Sequence, residues 1–132
     1  MMAKLHLNLG LEIDFHLIGI SCHLKDYRFI WHINNALKSD FCKTEFYEHF
    51  DNKLFFSNYK YNIDNQDVYI ISNKSQGGYL LKKTKQIDYW LKVSHNIDNN
   101  MLDSWMDEIK KIDDVLAITR TETNKQKEYF IF

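Results

Sequence analysis

The chain has no proline in 132 residues, where average usage would supply about six or seven. Alanine and glycine are scarce, while Lys, Asn, Ile, Tyr and Phe are abundant. That bias follows codon composition and points to an AT-rich bacterial genome. The two cysteines, Cys22 and Cys42, form no CxxC pair, which excludes zinc-knuckle and thioredoxin-type motifs. Net charge is −1 with both signs interspersed, so nothing supports a broad nucleic-acid or acidic-membrane surface. No apolar run approaches the roughly 18 residues a membrane span needs, and the N-terminus alternates instead of forming a signal-peptide h-region. These absences lead us to expect a reduced, cytoplasmic protein.

What is present favours a globular fold. Apolar residues make up 45% and aromatics 15%, enough for a core in one domain over 1–132. KLHLNLGLEIDFHL, residues 4–17, alternates apolar and polar residues throughout. This predicts a long half-buried strand with Leu5, Leu7, Leu9, Leu11, Ile13, Phe15 and Leu17 on the core face. Ser21 is a candidate cap for a helix in which Leu24, Tyr27, Ile30, Trp31, Asn34 and Leu37 recur at helical spacing. FCKTEFYEHF and KLFFSNYKYNI read as aromatic strands, and Asp64–Asp67 as a turn into the strand VYIISN. Gly77-Gly78 is the strongest breaker, and QIDYWLKV follows as another strand. Asp98–Asn100 cap a second helix with the stripe Met101, Leu102, Trp105, Met106, Ile109 and Ile112. VLAITRT and EYFIF complete the chain as strands. Trp31 and Trp105 are expected to anchor the two helices to the sheet.

EIDFHLIGIS at 12–21 lines up with QIDYWLKVSH at 86–95, each leading into a helix. The expected fold is α+β: a mostly antiparallel sheet of about six to seven strands with two helices, built as two βαββ-type halves, 4–76 and 79–132.

The segment LKKTKQIDYWLKV resembles the signature of the IPExxxVDY family, small uncharacterised proteins of Bacteroidota. Leu81 stands for the signature's Ile, Ile87 for its Val, and Asp88 and Tyr89 match. Lys82 and Lys83 replace its Pro and Glu. FHLIGISCHLKDYRFIW resembles the family's early block. The resemblance implies a bacterial cytosolic protein and no assigned activity.

Several constellations could carry chemistry. Asp14 and Asp88 hold matching places in the proposed halves and could form an acid/base pair or hold a cation. Hydrogen bonding to loop amides is the simpler role. The binding candidates are Asp14, His16, Asp88 and Tyr89. On the polar face of the first strand, His6, Glu12, Asp14 and His16 form the rival metal shell, with His23, Glu45 and His95 as outlying ligands. No metal or other cofactor is expected. Cys22 at a helix start could be a nucleophile, but an inert buried thiol is favoured. Tyr47, Phe55, Phe56, Tyr59, Tyr61 and Tyr69 could stack bases. A core role is favoured for them unless part of the row is exposed in one patch. KKTK at 82–85 reads as a solvated loop.

With no nucleotide loop, nucleophile elbow or HExxH motif, the expected function is a non-catalytic binding or accessory module acting through a protein partner or as a homo-oligomer. The alternatives are a metal-dependent enzyme resembling the vicinal-oxygen-chelate (glyoxalase-like) fold, and a single-stranded RNA-binding accessory protein.

Overall fold

Leu17-Ile18-Gly19-Ile20 sit at the centre of the molecule, covered on both faces. They belong to β1 (Phe15–Cys22), an interior strand of a six-stranded antiparallel sheet. The computed structural model describes residues 15–48, 53–121 and 130. Of the expected opening strand, therefore, only Phe15–Leu17 can be placed.

After β1 come α1 (Asp26–Leu37), β2 (Cys42–Lys43), β3 (Tyr47–Glu48), β4 (Phe55–Phe56), β5 (Asn58–Ile63) and β6 (Gln66–Ser72). β7 (Lys74–Ser75), β8 (Gly78–Tyr79), a short 3-10 turn (Lys82–Thr84), β9 (Tyr89–Ser94), α2 (Asn99–Lys110) and β10 (Val115–Thr121) follow. The main sheet runs β10-β1-β9-β6-β5-β2, and the β3-β4 and β7-β8 hairpins stand apart from it. The α+β expectation with two helices on a mainly antiparallel sheet therefore holds. The continuous 41–50 and 53–63 strands do not: each is broken, and β3 and β4 pair with one another outside the main sheet.

Both sheet faces are packed. Ile18, Ile20, Tyr89, Leu91 and Val93 meet Phe29, Ile30 and Ile33 of α1 and Leu102, Trp105 and Ile109 of α2. On the opposite face, Leu17, Ile71 and Trp90 are covered by Phe56, Leu80, Leu81, Ile87 and Phe130. This corrects the expectation of a one-sided first strand. An interior strand covered twice reads as a continuous apolar run, as LIGI does.

Local chemistry fixes the ends of the elements. Asp98 caps α2 by accepting from the Asn100 N–H at 3.0 Å, an interaction worth about 1 kcal/mol. Ser21 does not cap α1. It lies in β1 and donates to the Gln86 carbonyl at 2.6 Å. Instead α1 starts after Lys25 without a side-chain cap. At its far end Lys38 turns left-handed at φ 54°. There the Asn34 amide accepts from Phe41 N–H at 2.8 Å and Ser39 Oγ–H at 2.9 Å. Asp64 and Asn65, both at positive φ, form the two-residue turn joining Ile63 to Gln66 in the β5-β6 hairpin.

Trp105 is 7% exposed and anchors α2. Trp31 does not anchor α1: it is 64% exposed, and Tyr27 is 63% exposed. Phe29, Ile30 and Ile33 supply the inward stripe instead.

Candidate binding surfaces

The matched pentads IDFHL and IDYWL are not equivalent positions. In the β1-β9 ladder Ile18 pairs with Leu91 and Ile20 with Tyr89, whereas Leu17 pairs with Lys92. Paired residues share a sheet face. Tyr89 and Leu91 therefore face the helices, and Phe15 and Leu17 face the other layer. Phe15 and Leu17 of one pentad thus lie on the opposite face from Tyr89 and Leu91 of the other, Ile13 and Asp14 lying outside the described residues.

The candidate residues separate accordingly. Asp14, His6 and Glu12 lie outside the described residues. Phe15 pairs with Ser94, and β9 runs from Tyr89 to Ser94. Phe15 and Asp88 are thus at opposite ends of the pair, about 20 Å apart along the strand. His16 is half-buried opposite Val93, near the end that leads to the exposed His95. His23, also exposed, follows β1 at the other end, and Glu45 is exposed between β2 and β3. Among the described residues, no three His, Cys, Asp or Glu side chains cluster as a metal shell would.

Asp88 and Tyr89 are joined to the backbone around the start of α1. Asp88 Oδ2 accepts from the Cys22 N–H at 2.7 Å, while its own N–H donates to Ile20 at 2.9 Å. Tyr89 donates to the Leu24 carbonyl at 2.5 Å, and its ring stacks on Phe29 with centroids 4.2 Å apart. Tyr59 donates to Asp26 Oδ2 at 3.1 Å. Burial, with the nearby Asp26 charge, raises the Tyr59 phenol to about 12. The same two causes push the Tyr89 phenol further up. Burial likewise raises the Cys22 thiol, and Asp114 and Asp88 add to the rise against a backbone hydrogen bond at Leu24. A thiol raised in this way is a poor nucleophile. These groups hold the β1-α1 junction in place.

The aromatic row divides. Phe56 and Tyr59 are buried, and Tyr47, Tyr61 and Tyr69 are partly so. Phe55 is 56% exposed, as is its neighbour Phe46 at 54%. Their rings meet edge to face with centroids 6.5 Å apart, and Lys43 Nζ lies 5.2 Å from the Phe46 ring. The sequence reading passed over Phe46, although its place between Glu45 and Tyr47 in the same aromatic tract was visible. Phe46 and Phe55 line a groove with Lys53, Leu54, Ser57, Lys74, Ser75, Gln76 and Gly77. Gln76-Gly77 forms the tip of the β7-β8 hairpin. A β-carbon at Gly77 would lie 2.6 Å from Leu54 Cδ2, so this glycine lets the hairpin approach Leu54.

A second exposed aromatic set stands on α1. Tyr27 and Trp31 are one turn apart on its outward side, with the exposed Arg28 beside them. Trp31 packs edge-on to His32 at 5.0 Å, and its carbonyl accepts from the Asn35 amide at 3.0 Å.

No helix among the described residues is long and apolar enough to cross a membrane. No protein-family model matches the chain, and no curated protein matches it significantly.

Proposed function

We propose that the chain is a non-catalytic accessory module that binds a protein partner through the outward face of α1. One observation carries this reading: Tyr27, Arg28 and Trp31 stand together in solvent on a helix whose inward stripe is already complete. Trp, Tyr and Arg are the residue types that dominate interface energetics. Burial does not account for the two exposed rings, because Phe29, Ile30 and Ile33 already fix the helix to the sheet.

The charge around the patch describes the partner. Lys25 and Arg28 are exposed, whereas both oxygens of Asp26 accept hydrogen bonds, from Tyr27 N–H and from the Tyr59 hydroxyl. The complementary surface is an apolar pocket rimmed by carboxylates.

The test is capture from cells that express the chain, comparing wild type with Trp31→Ala and Arg28→Glu, followed by titration of the purified pair. Truncating an interface hot spot costs about 2 kcal/mol or more, so Trp31→Ala should raise Kd by roughly 30-fold while melting stays unchanged. If the purified partner binds Trp31→Ala as tightly as wild type, the patch is not the interface. A concentration-dependent dimer abolished by the same substitution would identify a second copy as the partner.

A further inference from the structure

The groove between the β3-β4 and β7-β8 hairpins lies apart from α1, and its composition points to a different ligand. Phe46 and Phe55 each leave more than half of their surface in solvent, at 54% and 56% exposure. Among the described residues the groove lining includes Lys53 and Lys74 and no Asp or Glu. Basic side chains continue on both sides. Lys43 lies over Phe46 at 5.2 Å, and Lys85 lies over Tyr79 at 5.5 Å. Tyr79 is itself the register partner of Lys74 across the β7-β8 hairpin. Lysines thus stand beside rings at both hairpins, with one exposed carboxylate, Glu48, as the register partner of Phe55 across β3-β4.

We propose that this groove binds a single-stranded nucleic acid. Bases stack on Phe46 and Phe55, and phosphates are met by Lys53 and Lys74. A charge-lined channel with exposed rings is how single strands are held without sequence readout, because every base has a π-face. Base stacking needs unpaired bases, so a duplex cannot use the rings. An acidic polypeptide could meet the lysines, but it brings no planar group for each ring. The amide of Gln76, exposed at the hairpin tip, adds a donor and an acceptor at the groove wall.

The experiment is a fluorescence-anisotropy titration of the full chain against labelled oligo-dT and oligo-U of about ten nucleotides, a length within the usual site size. Saturable binding that weakens with salt is expected. Phe46→Ala and Phe55→Ala should each weaken it roughly 5- to 150-fold at fixed salt, with melting unchanged because both rings are exposed. Lys53→Gln combined with Lys74→Gln should flatten the logarithmic salt slope by about 1.4, since each phosphate contact to a single strand contributes about 0.7. Failure to bind either oligonucleotide at low salt overturns the proposal. Binding that both phenylalanine variants retain, equally tight binding of duplex, or equally effective displacement by poly-glutamate overturns it too.

Discussion

Replacing Asn73 should damage this fold more than its small size suggests. The side chain is fully buried. Its amide donates to Ile87 at 2.9 Å and Thr84 at 3.1 Å, and its oxygen accepts from Leu81 N–H at 2.9 Å. These bonds hold the 80–87 segment, which carries Leu80, Leu81 and Ile87 onto Trp90. After Asn73→Ala, Thr84 retains the bond it accepts from Ile87 N–H. The Leu81 N–H and the Ile87 carbonyl lose the partner the side chain gave them. Each such loss costs about 1–3 kcal/mol, so the expected destabilisation is about 2–6 kcal/mol. That is a large share of a typical total of about 5–15 kcal/mol. Asn73→Asp keeps the acceptor for Leu81 but loses both donations and buries a charge. The introduced carboxyl would have its folded pKa raised above its unfolded value. Its protonated form is therefore the one the fold tolerates, and the deficit should shrink as pH falls toward about 4. Urea denaturation followed by tryptophan fluorescence at two pH values measures both effects. If Asn73→Ala lies within about 0.5 kcal/mol of wild type, or if Asn73→Asp shows no pH dependence, the network does not hold the segment as argued.

Trp105→Ala should cost about 3–5 kcal/mol, a drop of roughly 10–15 °C in melting temperature, whereas Trp31→Ala should stay within about 0.5 kcal/mol; equal losses in calorimetry would refute the assignment of the α1 faces. Gly19→Ala would place a β-carbon 2.8 Å from Ile87 Cδ1 and 3.1 Å from the Trp90 ring, and should cost about 1–3 kcal/mol by overpacking; an unchanged urea midpoint would show that the layer yields. Burial lowers the Lys92 ammonium from 10.5 to about 8, so between those values the unfolded chain binds more protons and stability should rise with pH. The raised Cys22 thiol opposes this from about pH 9, its ordinary value, and the raised Tyr59 phenol from about pH 10, so the comparison is with Lys92→Met: a wild-type change between about pH 8 and 10 no more positive than that of Lys92→Met would remove the Lys92 contribution.

The fold class was legible because α2 carries one apolar stripe and β5-β6 carries a clear turn. Leu102, Trp105 and Ile109 were all on the expected stripe and are all buried. α1 was harder because it carries more apolar residues than one stripe can use. Tyr27 and Trp31 compete with Phe29, Ile30 and Ile33, and spacing alone cannot say which set faces the sheet. The packing of a second layer decides it, and that information is not local. The two-residue strands β2, β3, β4, β7 and β8 are too short for any period to register. Their pairing comes from tertiary contact, such as that of Leu54 beneath Gly77. The groove formed by the two hairpins could not be read from the sequence for the same reason, although its Phe and Lys residues were in view.

A shift of one residue separates the apparent sequence repeat from the arrangement in space. The pentads place Phe15 against Tyr89, 74 positions apart. The helices α1 and α2 are each 12 residues long and run from Asp26 to Leu37 and from Asn99 to Lys110, 73 positions apart at both ends. The β1-β9 ladder separates the faces as well, since Ile18 and Ile20 pair with Leu91 and Tyr89 while Leu17 pairs with Lys92. Side chains alternate with period two, so a one-residue shift exchanges the two faces of a strand. At the spacing the helices follow, the counterpart of Asp88 is Phe15 and not Asp14. The case for a symmetric aspartate pair rests on the pentads alone, Asp14 lying outside the described residues. Asp88 then has a local reason to be where it is, the Cys22 N–H. Among the described residues the exposed large apolar side chains are Leu116 and four aromatics beside cations, Tyr27 and Trp31 with Arg28, and Phe46 and Phe55 with Lys53 and Lys74. Keeping such large rings in solvent forgoes burial worth about 25 cal/mol per Å² of apolar surface, and both proposed binding surfaces are placed on them for that reason.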